Sequence, residues 1–137
     1  MANPRAFISF DFDHDEGSRR YFVGQSINST TPFNIEDWSS KSVLPEPLWE
    51  MMLEEKIKKC HLVIVLIGRF MSSARGVQKE IRMAERNNIP IFGIYVDGAG
   101  LNSNLPLGLS RTRVTPWSWI PIANQIEKCM TEGKNRL

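Results

Sequence analysis

Leu62-Val63-Ile64-Val65-Leu66-Ile67 is an unbroken apolar run that stops at Gly68. A run that short without polar alternation reads as a strand covered on both faces, the habit of central parallel strands in α/β domains. The polar loop Arg69 to Arg75 follows, and then a helical pattern that carries Glu80. Ligands of such domains gather beyond the carboxyl ends of the strands, so the residues after Gly68 are the first place to look for chemistry.

On both sides of this strand the chain alternates between short apolar runs and helical patterns. Ala6 to Phe10 predicts a first strand, followed by the acidic segment Asp11 to Glu16 and a helix from about Ser18 to Ile27. Phe33 to Ile35 is a weaker strand, and Glu36 to Pro47 reads as a polar loop whose last proline can open a helix. Trp49, Leu53, Ile57 and Cys60 then recur on one helical face. Beyond the central strand, Val77, Ile81, Ala84 and Asn88 repeat with the same spacing, and Pro90 fixes the restart into a strand over Ile91 to Val96. Asp97 to Ser110 is a loop, Arg113 to Trp117 an edge strand broken by Pro116, and Ile122, Ala123, Ile126, Cys129 and Met130 mark a last helix. This order predicts an α/β, flavodoxin-like three-layer domain. Its central, mostly parallel sheet has about five strands, with right-handed crossovers and helices on both faces.

The 137 residues are enough for one hydrophobic core, so residues 1–137 are read as a single domain. Seventeen Lys and Arg against 15 Asp and Glu give a net charge of +2, which supplies no strong field toward nucleic acid or an anionic membrane. Met1 to Phe10 lacks the apolar core of a signal peptide, and no apolar segment approaches the roughly 20 residues needed to span a bilayer. The expected address is the cytoplasm. Cys60 and Cys129 fall on apolar helical positions, where a free thiol behaves as a small hydrophobe, and no metal site is expected.

Asp11-Phe12-Asp13-His14-Asp15, directly after the first strand, invites three chemical readings. A phosphatase of the haloacid dehalogenase type would use two of the aspartates beside magnesium, but Asp15 stands where that motif wants a small β-branched residue, and Gly68 replaces the Ser or Thr of the later strand. A phosphorylatable receiver would need an Asp after the third strand and a later Lys. A calcium loop would need Gly at Glu16 and Glu at Phe22. The plain alternative is a solvated acidic loop that caps the first helix through Asp15 or Ser18. In the same way Ser72 or Ser73 could cap the helix that bears Glu80, and Glu80 itself could be a surface acid compensating the helix dipole.

Phe7-Ile8-Ser9-Phe10-Asp11, Glu36-Asp37-Trp38-Ser39, the run Leu62 to Gly68, Ser73-Ala74-Arg75-Gly76-Val77-Gln78-Lys79-Glu80-Ile81 and Ile89-Pro90-Ile91-Phe92-Gly93-Ile94 occur in an order and spacing that resembles the bacterial Toll/interleukin-1-receptor-like (TIR-like) family. The resemblance runs from about Ala6 to Val96 and is looser over Leu101 to Leu137. It implies the same flavodoxin-like sheet, and it implies NAD as a substrate rather than a bound cofactor. Many bacterial members cleave the nicotinamide-ribose bond, and those of Thoeris antiphage systems make a nucleotide signal for a separate effector protein. Assembly into a homo-oligomer is a further implication.

On this resemblance Glu80 matches the catalytic glutamate. Phe10 and Trp38 are candidates for ring contacts, Asp11 for a polar contact and Arg75 for the pyrophosphate. One carboxylate suffices for the reaction, because nicotinamide leaves a cationic ring as a neutral molecule and needs no general acid. The position of Glu80 near a helix start is expected to keep it ionised. One departure stands out: many family enzymes carry Trp four residues before the glutamate, where this chain has Gly76. That leaves an opened pocket, a filling by Trp38, Trp117 or Trp119, or loss of NAD chemistry. The competing functions are a non-catalytic interaction module and glycosyl transfer of the nucleoside deoxyribosyltransferase kind. They separate on whether Glu80 meets an open pocket or a neighbouring Lys or Arg, and on whether NAD or a deoxynucleoside is consumed.

Overall fold

The computed structural model describes residues 4–28, 33–39, 45–71 and 74–133. Five parallel strands, β1 (Arg5–Ser9), β2 (Asn34–Trp38), β3 (Leu62–Ile67), β4 (Ile91–Tyr95) and β5 (Val114–Thr115), line up in the order β2-β1-β3-β4-β5. Four helices, α1 (Glu16–Asn28), α2 (Glu46–Lys58), α3 (Arg75–Arg86) and α4 (Trp119–Cys129), alternate with them. This is the flavodoxin-like order, in which the connections leaving β1 and β3 diverge at the carboxyl edge, the place where such sheets bind their ligands.

Every residue of β3 is fully buried. Period-2 alternation sorts its side chains into two cores. Val63, Val65 and Ile67 join Phe7 of β1 beneath Leu53 and Ile57 of α2 and Val77, Ile81 and Ala84 of α3. Leu62, Ile64 and Leu66 join Ala6 and Ile8 of β1 and Phe92 and Ile94 of β4 beneath Phe22 of α1 and Ile122 and Ile126 of α4. Polar pairs fasten the outer layer: Arg86 of α3 grips both oxygens of Glu54 on α2 at 2.6 and 2.8 Å, and Arg113 binds Glu132 at 2.7 and 2.9 Å while its Nε donates to the Ile91 carbonyl.

Several boundaries differ from the sequence reading, each for a local reason. β2 extends through Trp38, so the residues read as the start of a loop continue the strand. Its register against β1 slips between Ala6 and Phe7, the signature of a bulge. Asn88 lies beyond α3 with a φ of 57°, a left-handed residue that follows the helix end and not a position on the helical face. Cys60 is buried just past α2, and Cys129 closes α4, where burial pushes its thiol up to about 11. Ala74, not a serine, is the N-cap of α3 and makes no side-chain cap bond; Ser72 and Ser73 lie outside the described residues. Among the described residues no helix is long and apolar enough to cross a membrane.

Gly68 ends β3 because the next layer leaves no room for a side chain. A Cβ there would stand 2.3 Å from both carboxyl oxygens of Asp15, which lies against the backbone at the start of α1. Gly68→Ala therefore overpacks the contact with Asp15 and lowers stability by about 1–3 kcal/mol. Urea denaturation should show that Asp15→Ala recovers most of this loss in the double variant; strictly additive losses would mean that the carboxyl moves aside freely.

Candidate active site

Ser9 is the last residue of β1, and Ser39 follows the last residue of β2. The two strands are parallel neighbours, and the Ser39 amide donates to the Ile8 carbonyl, continuing the ladder by one step. Ser9 lies on the same face of β1 as Phe7, beneath α3. The β2 bulge brings Ser39 to that face as well. Ile35 and Trp38 both pack against the opposite core, which strict alternation forbids for residues three apart. The extra residue shifts the phase, and the two hydroxyls end side by side.

Glu80 meets them from the second turn of α3. It is 1% exposed, and its Oε1 accepts from Ser9 Oγ at 2.6 Å and from Ser39 Oγ at 2.5 Å. Ser39 Oγ also accepts from the Phe10 amide at 3.1 Å. Glu80 is therefore neither a surface acid nor tied to Lys or Arg among the described residues. The expectation that a helix start keeps it ionised is corrected: burial dominates and pushes its pKa up to about 7, while the Ser39 and Ser9 hydrogen bonds pull the other way. Sequence reading missed both serines as site residues. A hydroxyl at the end of an otherwise apolar strand was the available signal.

The remaining candidates lie around the same carboxyl edge without converging on Glu80. Phe10 follows β1, is 2% exposed and packs in the α1/α4 core, its ring 5.9 Å from that of Phe12. Asp11 accepts from the Asp13 amide at 3.1 Å and pairs with His14 Nδ1 at 2.6 Å, while His14 stacks on Phe70 at 4.3 Å. Trp38 is half-buried, with the Arg19 guanidinium over its ring at 4.7 Å. Arg19, which also bonds Glu16, was not legible as a neighbour of Trp38, because nothing in the sequence brings α1 onto β2. Arg75 is the exposed first residue of α3. A Cβ at Gly76 would meet nothing within 4 Å, so this position is open, while Trp117 and Trp119 pack with Phe22 at the α1/α4 face.

Asp15 departs most from its sequence reading. It is 1% exposed, and among the described residues neither carboxyl oxygen has a hydrogen-bond partner, so it is neither a solvated acid nor a side-chain cap. Burial, reinforced by the nearby charges of Asp11 and Asp97, pushes it up to about 6. Among the described residues no three His, Cys, Asp or Glu side chains form a group able to hold a metal ion.

The raised pKa of Glu80 carries a sign for stability. The folded state holds the proton up to about pH 7, whereas the unfolded chain releases it near 4.5. Folding thus binds a proton between these values, and stability falls as pH rises through this window. Glu80→Gln removes the ionisation, so it should match the wild type in urea denaturation at pH 4.5 and exceed it at pH 8 by up to about 3 kcal/mol. Equal stability of the two proteins at pH 8 would mean that the carboxylate is solvated.

The sequence model described as the TIR-like domain of Thoeris protein ThsB matches residues 7–100. Among solved structures, a prokaryotic SEFIR domain superimposes with a TM-score of 0.50 at 12% identity, over 92% of this chain and 89% of that one. A CMP N-glycosidase of Clostridium botulinum, BcmB, gives a TM-score of 0.47 at 12% identity, over 90% and 98%. No curated protein matches. The SEFIR likeness shows the fold, and the family match spans the strands and helices that bring Ser9, Ser39 and Glu80 together: the chain belongs to the TIR-like domains of the Thoeris ThsB family.

Proposed function

We propose that this domain cleaves NAD at the nicotinamide-ribose bond, with Glu80 as the catalytic carboxylate. The observation that carries this reading is a buried acid, without a cationic partner among the described residues, at the carboxyl ends of two adjacent parallel strands. Holding such a group there costs stability, and strained titratable groups at this edge of an α/β sheet are characteristic of active sites. In the reaction the bond between ribose C1′ and the pyridinium nitrogen breaks, and its electron pair neutralises the departing nicotinamide. The ionised Glu80 stabilises the positive charge that develops on the ribose and orients its hydroxyls. Water, or a hydroxyl of the ADP-ribose unit itself, captures the cation and releases one proton. Hydrolysis gives ADP-ribose, and internal capture gives a cyclic isomer able to act as a nucleotide signal for an effector in antiphage defence.

At the same carboxyl edge, on the α1 side of the sheet, Trp38 and Phe10 are the proposed aromatic contacts, with Asp11 a polar contact and Arg75 a pyrophosphate contact. The open position at Gly76 leaves space where many family enzymes place an indole. Because Glu80 is so fully covered, the assay should span a wide protein concentration range and include lysate from infected cells. Mass spectrometry of NAD incubations is expected to show nicotinamide with its nucleotide co-product from the wild type, and at least a ~100-fold loss in Glu80→Gln. No release from folded protein under any of these conditions would overturn the reading in favour of an interaction module. Consumption of deoxynucleosides instead of NAD would favour base transfer.

A further inference from the structure

We infer that Ser9 and Ser39 are positioning residues that clamp one oxygen of Glu80 and leave the other to act on the substrate, an inference that rests on the proposed role of Glu80. A buried hydroxyl is unfavourable unless hydrogen-bonded, and a buried acid more so. Packing alone calls for neither serine: small apolar residues would fill the ends of β1 and β2 beneath α3 at less cost. Yet three such groups, from β1, the end of β2 and α3, meet at one point.

The geometry is directional. Both hydroxyls donate to Oε1, at 2.6 and 2.5 Å, and Oε2 has no hydrogen-bond partner among the described residues. Two bonds from separate strands fix the plane of the carboxylate as one bond could not. Ser39 is itself oriented: its oxygen accepts the Phe10 amide at 3.1 Å, which directs its single proton toward Glu80, while its other acceptor, the Ile8 carbonyl, lies at 3.5 Å. The result is a short relay from a strand-end peptide through a hydroxyl to the acid, in which each bond polarises the next. It ties the electronic state of Glu80 to the backbone that carries Phe10 and Asp11.

The test follows the carboxyl directly as well as the reaction. Carbon-13 NMR of glutamate-labelled protein, with Glu80→Gln to assign the resonance, gives the Glu80 titration without any need for turnover. Rate-pH profiles with NAD give the catalytic one. Ser9→Ala and Ser39→Ala are each expected to move the Glu80 titration upward by about one pH unit. The ascending limb of kcat should move by the same amount, with a deficit of about 5-fold at pH 7 that nears 10-fold at pH 6 and closes at pH 9, and with KM little changed. Ser39→Thr, which keeps the hydroxyl, should stay near the wild type. If Ser9→Ala does not fold, Ser9→Cys, of similar size but a weak donor, takes its place. Alanine variants that fold with an unmoved Glu80 titration overturn the clamp. So does a rate deficit that persists unchanged at pH 9. A wild type silent toward NAD sinks the proposed reaction but not the clamp, because the titration arm then decides alone.

Discussion

Complete burial of β3 is the constraint on which the other elements depend. A strand that is apolar on both faces must be hydrogen-bonded along both edges and roofed on both sides. β1 and β4 supply the edges; α2 with α3, and α1 with α4, supply the roofs. Parallel pairing requires each connection to cross the sheet, so the helices are necessary to the strand order as well as to the burial. Placing β1 and β2 on one side of β3 and β4 and β5 on the other splits the connections at the carboxyl edge. Asp15 and Gly68 sit where they part.

The same burial makes this edge costly. Two carboxyl groups, Glu80 and Asp15, lie almost entirely out of water, and their pKa values rise for that reason first. Among the described residues Glu80 is compensated by neutral hydroxyls alone. Asp15 has no hydrogen-bond partner among the described residues and lies near the charges of Asp11 and Asp97. An ordinary core would hold apolar side chains here. Acids retained at the strand ends of an otherwise well-packed sheet are the pattern expected where stability is exchanged for chemistry.

Much of this was legible because burial writes itself into local pattern. The run Leu62 to Ile67 predicts a central strand, and Val77, Ile81 and Ala84 predict the buried stripe of α3 without reference to any neighbour. Glu80 was legible by its place in an ordered set of motifs, not by its own surroundings. Its burial was misjudged from its charge: Val77, Glu80, Ile81 and Ala84 share the i, i+3, i+4, i+7 spacing of one face, but an acid on that face reads first as a surface residue. Asp15 misled in the same way. An acidic cluster reads as solvated until a glycine just past β3 is seen to receive its carboxyl. Nor does spacing place Arg19 over Trp38, since the two meet only when α1 crosses β2.

The sequence by itself determined the α/β class, the central strand, the buried faces of α2 and α3 and the identity of the candidate acid, because hydrophobic periodicity and motif order are properties of neighbouring residues. The tertiary structure alone decided the acid's environment. One bulge in β2 changes which face Ser39 presents; with strict alternation from Ile35 it would lie on the α1 side of the sheet. The register slip against β1 turns it toward α3, beside Ser9, where both hydroxyls reach Glu80. Strand register is set by pairing across the sheet, and a slip of one residue exchanges the two faces, so no reading of β2 in isolation could have found it.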